Sequence, residues 1–203
     1  MSHLASIGAG LYSDMSIAFS TGGTANLDGS AKAPSLSGLT LTAIKALLDP
    51  MFVTEIDAEA GVAVANSFVR VKNVREFPAI GTPPNIVNVP VFGQSTSQQI
   101  QAQADAPSME VTLNYVAKDW ASTATLGKLV GAGSSLVTRF ALLNSEPSGG
   151  YASTVGGLGT TLNTYWYFIG KIDSLLVTPS LSDSNQATIA ITLQSSVKGA
   201  YTL

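Results

Sequence analysis

Residues 108–131 read SMEVTLNYVAKDWASTATLGKLVG. The first part alternates. Met109, Val111, Leu113 and Tyr115 fall on one side of an extended chain, and Glu110, Thr112 and Asn114 on the other. A period of two marks a strand with one face on a core. The pattern then changes. Asp119 stands where a carboxylate can cap the first turn of a helix. Trp120, Ala124 and Gly127 share one helical face, with Leu126, Leu129 and Val130 widening the stripe. Gly131 is suited to end the helix. The stretch predicts a half-buried strand followed by one helix over about 118–130, which packs Trp120, Ala124 and Leu129 onto a sheet.

Strand signals surround it. SFVRVKNV (67–74) alternates Val69 and Val71 with Arg70 and Lys72. FPAIGTPPN (77–85) is a turn-rich connection, and IVNVPVFG (86–93) is a second strand whose Pro90 cannot donate to a ladder. The two predict a long hairpin with a stiff tip. QSTSQQIQAQADAP (94–107) is polar and glutamine-rich, either an exposed loop or a segment that meets a partner through amide hydrogen bonds. SLVTRFALLN (135–144) is a strand, and a glycine-rich loop follows at 146–164. YWYFIGKIDSLLVTP (165–179) is a long apolar strand bent at Gly170. QATIAITLQSS (186–196) alternates with Ile189, Ile191 and Leu193 inward. Several strands, turn signals and one packed helix predict a mainly β chain, an antiparallel barrel or sandwich.

The N-terminal third reads differently. Residues 1–35 carry isolated apolar residues among Gly, Ser and Thr, and are expected to form an arm ordered against a neighbouring subunit. LTLTAIKALLDP (39–50) predicts a short helix near 40–49 that Pro50 stops. The expected organisation is therefore an N-terminal extension over 1–66 and a β-domain over 67–203. Glu55, Asp57 and Glu59 would share one face of a strand, which suits a solvated acidic face better than a cation site, because no calcium-loop pattern accompanies them.

Composition bounds the chemistry. The 203 residues are 45% hydrophobic and only 11% charged, so surface burial against neighbours fits better than a disordered chain. A net charge of −3 with scattered Lys and Arg gives no basic stripe for gripping nucleic acid. There is no cysteine, and the single histidine is His3, so thiolate chemistry, Cys/His metal clusters and a Ser-His-Asp triad are excluded. No apolar run is long enough to cross a membrane, and the first residues lack the basic and apolar regions of a secretion signal, so a cytoplasmic origin is expected. GKLVGAGSS (127–135) follows a helix where a phosphate loop would precede one. The run Tyr165, Trp166, Tyr167, Phe168 could be a sugar platform, but alternate residues of a strand point opposite ways, so core on one side and interface on the other is expected. No catalytic constellation and no cofactor site emerges.

The order of these elements over 67–197 resembles the tail tube protein of long-tailed bacteriophages. The stretches that carry the resemblance are SFVRVKNVREFPAIGTPPNIVNVPVFG, SMEVTLNYVAKDWASTATLGKLVG, SLVTRFALLN and YWYFIGKIDSLLVTPSLSDSNQATIAITL. It implies the fold shared with inner tubes of contractile tails and type VI secretion systems. It also implies a structural, non-enzymatic function: hexameric rings that stack into a hollow tube, which conducts viral DNA out of the capsid. The implied partners are further copies of the chain, tail-tip and terminator proteins, a tape measure protein in the lumen, and DNA in non-sticking passage, with no membrane insertion. The implied location is the virion tail, assembled in the host bacterial cytoplasm. Pro78, Gly81, Pro83 and Pro84 match the loop that reaches the next ring. Gln98, Gln99, Gln101 and Gln103 match a connection that contacts neighbours. Glu110, Thr112 and Asn114, on the non-core face of their strand, are the expected lumen residues. The alternatives are the inner tube of a contractile particle or secretion system, a carbohydrate-binding β-domain using residues 165–168, and a hydrolase working with carboxylates alone.

Overall fold

The computed structural model describes residues 13–18, 33–52, 54–58, 67–81, 86–90, 92–93, 98–101, 108–142 and 164–202. The chain is mainly β. Its strands are β1 (Asp14–Ala18), β2 (Thr54–Glu55), β3 (Ser67–Arg70), β4 (Val74–Glu76), β5 (Ile86–Val89), β6 (Gln98–Gln101), β7 (Ser108–Asn114), β8 (Leu136–Leu142), β9 (Thr164–Thr178), β10 (Gln186–Leu193) and β11 (Lys198–Thr202). Two helices are described, α1 (Leu41–Leu48) and α2 (Thr125–Leu129).

Nine strands form one mixed sheet in the order β2-β3-β1-β8-β9-β10-β7-β4, with β11 beside β9. All pairings are antiparallel except β2 with β3. The sheet curls back on itself. β3 and β4 lie near opposite ends of this order, yet only residues 71–73 separate them, so the two ends must come together. Residues 67–76 are one bent strand serving both ends. The Val71 N–H donates to Met15 on β1, and the Asn73 carbonyl accepts from Asn114 at the end of β7. Asn73 makes the bend with φ 61, a conformation that asparagine tolerates better than most residues.

Inside the curl lies the main core. It contains Met15 and Ile17 of β1, Val69 and Val71, Val111 and Leu113 of β7, Phe140 of β8, Phe168 and Ile172 of β9, and Ile189, Ile191 and Leu193 of β10. A second core covers the outside of only half the sheet. There Ile44 and Leu48 of α1, with Met51 and Phe52 beyond it, pack on Phe68, Val137, Ala141, Tyr165, Tyr167, Ile169 and Tyr201. The α1 helix is capped by the Thr40 hydroxyl, which accepts from the Ala43 N–H at 3.2 Å. It passes into a 3-10 turn over Asp49–Met51 at Pro50, whose missing N–H ends the α ladder.

Several sequence expectations are corrected. Residues 14–18 are no arm: β1 is buried at every position and sits between β3 and β8. The period-two signal is hidden there because both faces are covered, so Asp14 and Ser16 are buried along with Met15 and Ile17. The long hairpin of 67–74 with 86–93 does not form. Instead β5 pairs with β6 as a separate two-stranded sheet. It ends at Val89, one residue before Pro90, where a ladder donor would be lost.

The helix over 118–130 shortens to Thr125–Leu129 with Ala124, not Asp119, at its N-cap. Residues 117–124 form turns instead, closed by Asp119 N–H to the Val116 carbonyl and Ala124 N–H to the Ala121 carbonyl. They fold back so closely that a Cβ on Gly127 would overlap the Ala121 carbonyl oxygen and lie 2.8 Å from that of Trp120. Only glycine fits. Trp120, Ala124 and Leu129 are buried, but Trp120 lies in the turns and Ala124 at the N-cap, so only Leu129 belongs to the helix. Gly131 then turns the chain with φ 69 and donates its N–H to the Ile172 carbonyl.

Candidate assembly face

Burial along the strands divides the sheet in two. In β8 and in residues 165–170 of β9 nearly every residue is buried, because one side meets the main core and the other lies under α1. In β7 and β10 burial alternates. The outer face of this second half is covered by nothing among the described residues.

Register fixes what that face presents. Glu110, Thr112 and Asn114 of β7 stand opposite Ala190, Thr188 and Gln186 of β10, which stand opposite Ser174, Leu176 and Thr178 of β9. Glu76 of β4 is level with Thr112, and Ser108, Thr192 and Lys171 form the next row. A bulge between Ala190 and Ile191 inserts Asp173, whose carboxylate accepts from the Thr192 hydroxyl. The expected lumen residues therefore do lie together, with Glu110 exposed and Thr112 and Asn114 half-buried. The surface is one of mostly neutral side chains, Leu176 the one large apolar group among them, with three acids, Glu76, Glu110 and Asp173, against one base, Lys171. At such a face a phosphate backbone meets repulsion and few hydrogen-bonding cations.

Among the described residues the same half-sheet has open edges. β4 ends the strand order. On the other side, β9 is 15 residues long but β8 pairs only with Thr164–Gly170. The Gly131 N–H reaches Ile172, and beyond it no described strand lines that side of residues 173–178. Leu176 is 65% exposed and Val177 42% exposed on this overhang. An unpaired strand edge with apolar side chains is a template for another chain. The sequence reading did not single out Leu176, Val177, Glu76 or Asp173. The legible signal was the length of the 165–179 apolar run, longer than any partner strand beside it.

The other expected contact residues are placed only in part. Pro78 is half-buried and Gly81 exposed, with φ 155 at Gly81. Pro83, Pro84 and Gln103 lie outside the described residues. Gln98, Gln99 and Gln101 belong to β6, paired with Val89, Asn88 and Ile86. That hairpin exposes Phe92 at its tip. An isolated two-stranded hairpin is marginal in water, which suits an element completed by a neighbour.

The acids at 55 and 57 are paired, Glu55 with Arg70 at 3.3 Å and Asp57 with Lys72 at 3.0 Å, while Glu59 lies outside the described residues. Arg75 pairs with Asp183 in the β9–β10 turn, and the Ser184 N–H, helped by this guanidinium, holds the Asp183 carboxyl below its ordinary range. Of the aromatic run, Tyr165, Tyr167 and Phe168 are buried and Trp166 is half-buried. Both sides of that strand are core, because α1 covers the side expected to be an interface. Tyr167 donates to Asp49, and burial pushes its hydroxyl pKa far up.

Among the described residues no three His, Cys, Asp or Glu side chains converge to hold a metal, and no helix is long and apolar enough to cross a membrane. No known protein-family model matches the sequence, and no curated protein matches it.

Proposed function

We propose that the protein is the structural subunit of a bacteriophage tail tube, assembling as hexameric rings that stack into a hollow conduit for viral DNA. One observation supports this reading: among the described residues, the half-sheet β4-β7-β10-β9 has an uncovered, acid-biased face of mostly neutral residues and an open edge on each side. Copies joined edge to edge would satisfy the open backbone groups and close a barrel, which abolishes edges altogether. The uncovered faces would then line the bore. Repeated heterologous contacts that close by rotation give rings, and stacking extends them. Glu110, Thr112 and Asn114 would face the lumen, with Glu76 and Asp173 beside them. The β5–β6 hairpin and the 77–85 connection would reach neighbouring subunits. Tail-tip and terminator proteins would bound the tube, and a tape measure protein would fill it before ejection.

The inner tube of a contractile particle would use the same half-sheet and differ by having a sheath. A glycan-binding reading loses its basis, because the 165–168 aromatics are turned into the two cores.

The test is negative-stain electron microscopy of the purified protein at high concentration, with and without a tail-tip complex. Rings or hollow tubes of constant diameter are expected. Leu176→Lys with Val177→Lys should leave the subunit folded and abolish them, since a charged edge resists pairing. Featureless monomers from the parent protein under both conditions would remove the reading.

A further inference from the structure

The β9–β10 turn is held by its own polar groups. The Asn185 side-chain carbonyl accepts from the Ser180 N–H at 3.0 Å, and the Ser180 hydroxyl accepts from the Asp183 N–H at 3.0 Å. One oxygen of the Asp183 carboxylate takes the Ser184 N–H at 2.7 Å, and the other meets the Arg75 guanidinium at 3.4 Å. The turn also holds the end of β7. The Ser184 hydroxyl donates to the Asn114 side chain at 2.9 Å, and the Asn185 carbonyl accepts the Tyr115 N–H at 2.8 Å.

Arg75 belongs to β4, and β7 and β10 lie between β4 and β9 in the sheet. The ion pair therefore crosses the end of β7 and ties β4 to the turn that continues from the β9 overhang. Both open edges of the half-sheet are linked by this one contact. The ladder it supports is short. β4 has three residues, its register against β7 shifts between Val74 and Glu76, and Pro78 has no N–H to extend it. Val74 and Phe77 pack against the main core, whereas Arg75 and Glu76 are exposed. Such a ladder opens more readily than the interior of a sheet. The ion pair is itself accessible, with side chains 39% and 59% exposed, so dissolved salt screens it.

We propose that Arg75 and Asp183 form a salt-sensitive clasp that holds β4 against β7 and so sets how readily that edge joins a second copy. The hold on β4 stands by itself; the consequence for joining rests on the tube reading.

The experiment reads hydrogen exchange by NMR in dilute protein shown to be monomeric by sedimentation. The reporter is the Asn114 amide, which donates to the Asn73 carbonyl just before β4, and the reference is the Ile189 amide of β10. Asp183→Asn keeps an oxygen for the Ser184 N–H and removes the charge. It should speed Asn114 exchange about two- to fivefold at low salt, the effect of losing one exposed ion pair, and leave Ile189 unchanged. Arg75→Gln should do the same, and the double variant no more than either alone. About 0.5 M sodium chloride should bring the parent to the rate of the variants and leave the variants where they are. The threshold concentration for assembly should rise by the same factor in each variant. Asn114 exchange that ignores both substitution and salt overturns the clasp. So do additive effects of the two substitutions, variants that respond to salt as the parent does, or a reporter and reference that speed up together. Faster exchange with an unchanged threshold overturns the consequence for joining, because β4 is then not the edge that joins. A parent that forms no rings or tubes removes the tube reading and that consequence with it, while the exchange rates still decide the clasp.

Discussion

Ile17→Ala tests the placement of β1 most directly. Ile17 is 1% exposed, pairs with Val69 on β3 and Thr138 on β8, and belongs to the main core. The substitution removes three carbons from a strand held on both edges, so the surroundings have little freedom to collapse onto the gap. Buried Ile→Ala changes cost about 2–5 kcal/mol, and the two-sided clamp puts this one at about 3–4 kcal/mol. With a urea dependence of about 2–3 kcal/mol per molar, the unfolding midpoint should fall by more than about 1 M. The assay is urea unfolding of the dilute subunit, followed by tryptophan fluorescence, with sedimentation confirming that it is monomeric. If residues 14–18 were an arm that orders only against a neighbour, the monomer would not notice. A midpoint shift below about 0.2 M in a monomeric sample would refute the placement of β1 in the sheet.

Gly127→Ala should destabilise by about 1–3 kcal/mol in the same assay, against the helix-propensity rule that favours alanine, because its Cβ meets the Ala121 carbonyl. A neutral or stabilising result would mean the 117–124 turns do not fold back on α2. Glu110→Lys turns three acids and one base on the open face into two of each. Assembly should survive, and the tubes should retain double-stranded DNA at low salt and release it as salt rises; loss of assembly would move Glu110 from the lumen to a subunit contact. Asp14→Asn should reveal a pH effect of definite sign. Burial raises the Asp14 pKa, outweighing the Ser16 hydrogen bond and the charges of Arg139 and Arg70. The folded state therefore binds the Asp14 proton more tightly than the unfolded state. Its stabilising contribution is present below the ordinary aspartate pKa of about 3.9 and is lost as pH rises through the higher folded value. The Tm of the variant minus that of the parent should increase from about pH 4 towards neutrality, and a decrease would show that Asp14 is held ionised by its arginines.

Legibility followed how many faces of an element are buried. β7 and β10 have one face covered, so polar and apolar residues alternate, and Met109, Val111, Leu113, Ile189, Ile191 and Leu193 could be assigned inward from spacing alone. β1 has both faces covered. DMSIA carries no period, and its buried Asp14 sits among Arg70, Arg139 and Glu55, which arrive from distant parts of the chain. The aromatic run at 165–168 failed for the same reason. Strand geometry correctly separated Tyr165 and Tyr167 from Trp166 and Phe168, but the helix that turns the first pair into core lies over a hundred residues earlier. Pairing partners were the least legible. Residues 67–76 and 86–89 are both good strands, and no local signal says that the first joins β1 and β7 while the second joins β6.

The asymmetry of the sheet also bears on how assembly would begin. An overhang of residues 173–178 offers backbone groups on every second residue, a few hydrogen bonds at about 1 kcal/mol each. Covering Leu176 and Val177 adds about 1–2 kcal/mol apiece at their present exposure. The sum for one joint is of the same order as the translational and rotational freedom lost when two subunits associate, about 4–15 kcal/mol. A single pair is therefore weak, and a monomer with an open edge can stay soluble at low concentration. Each subunit added to a growing ring loses that freedom once, and the one that closes the ring makes two joints for the same loss. In the proposed tube, stacking would add contacts through the β5–β6 hairpin without opening a new edge. Association should then be negligible up to a threshold concentration and abrupt above it, with rings and tubes but few dimers. Sedimentation velocity across a concentration series reads this directly. A steady population of dimers and trimers, growing smoothly with concentration, would mean that the overhang is not the joint.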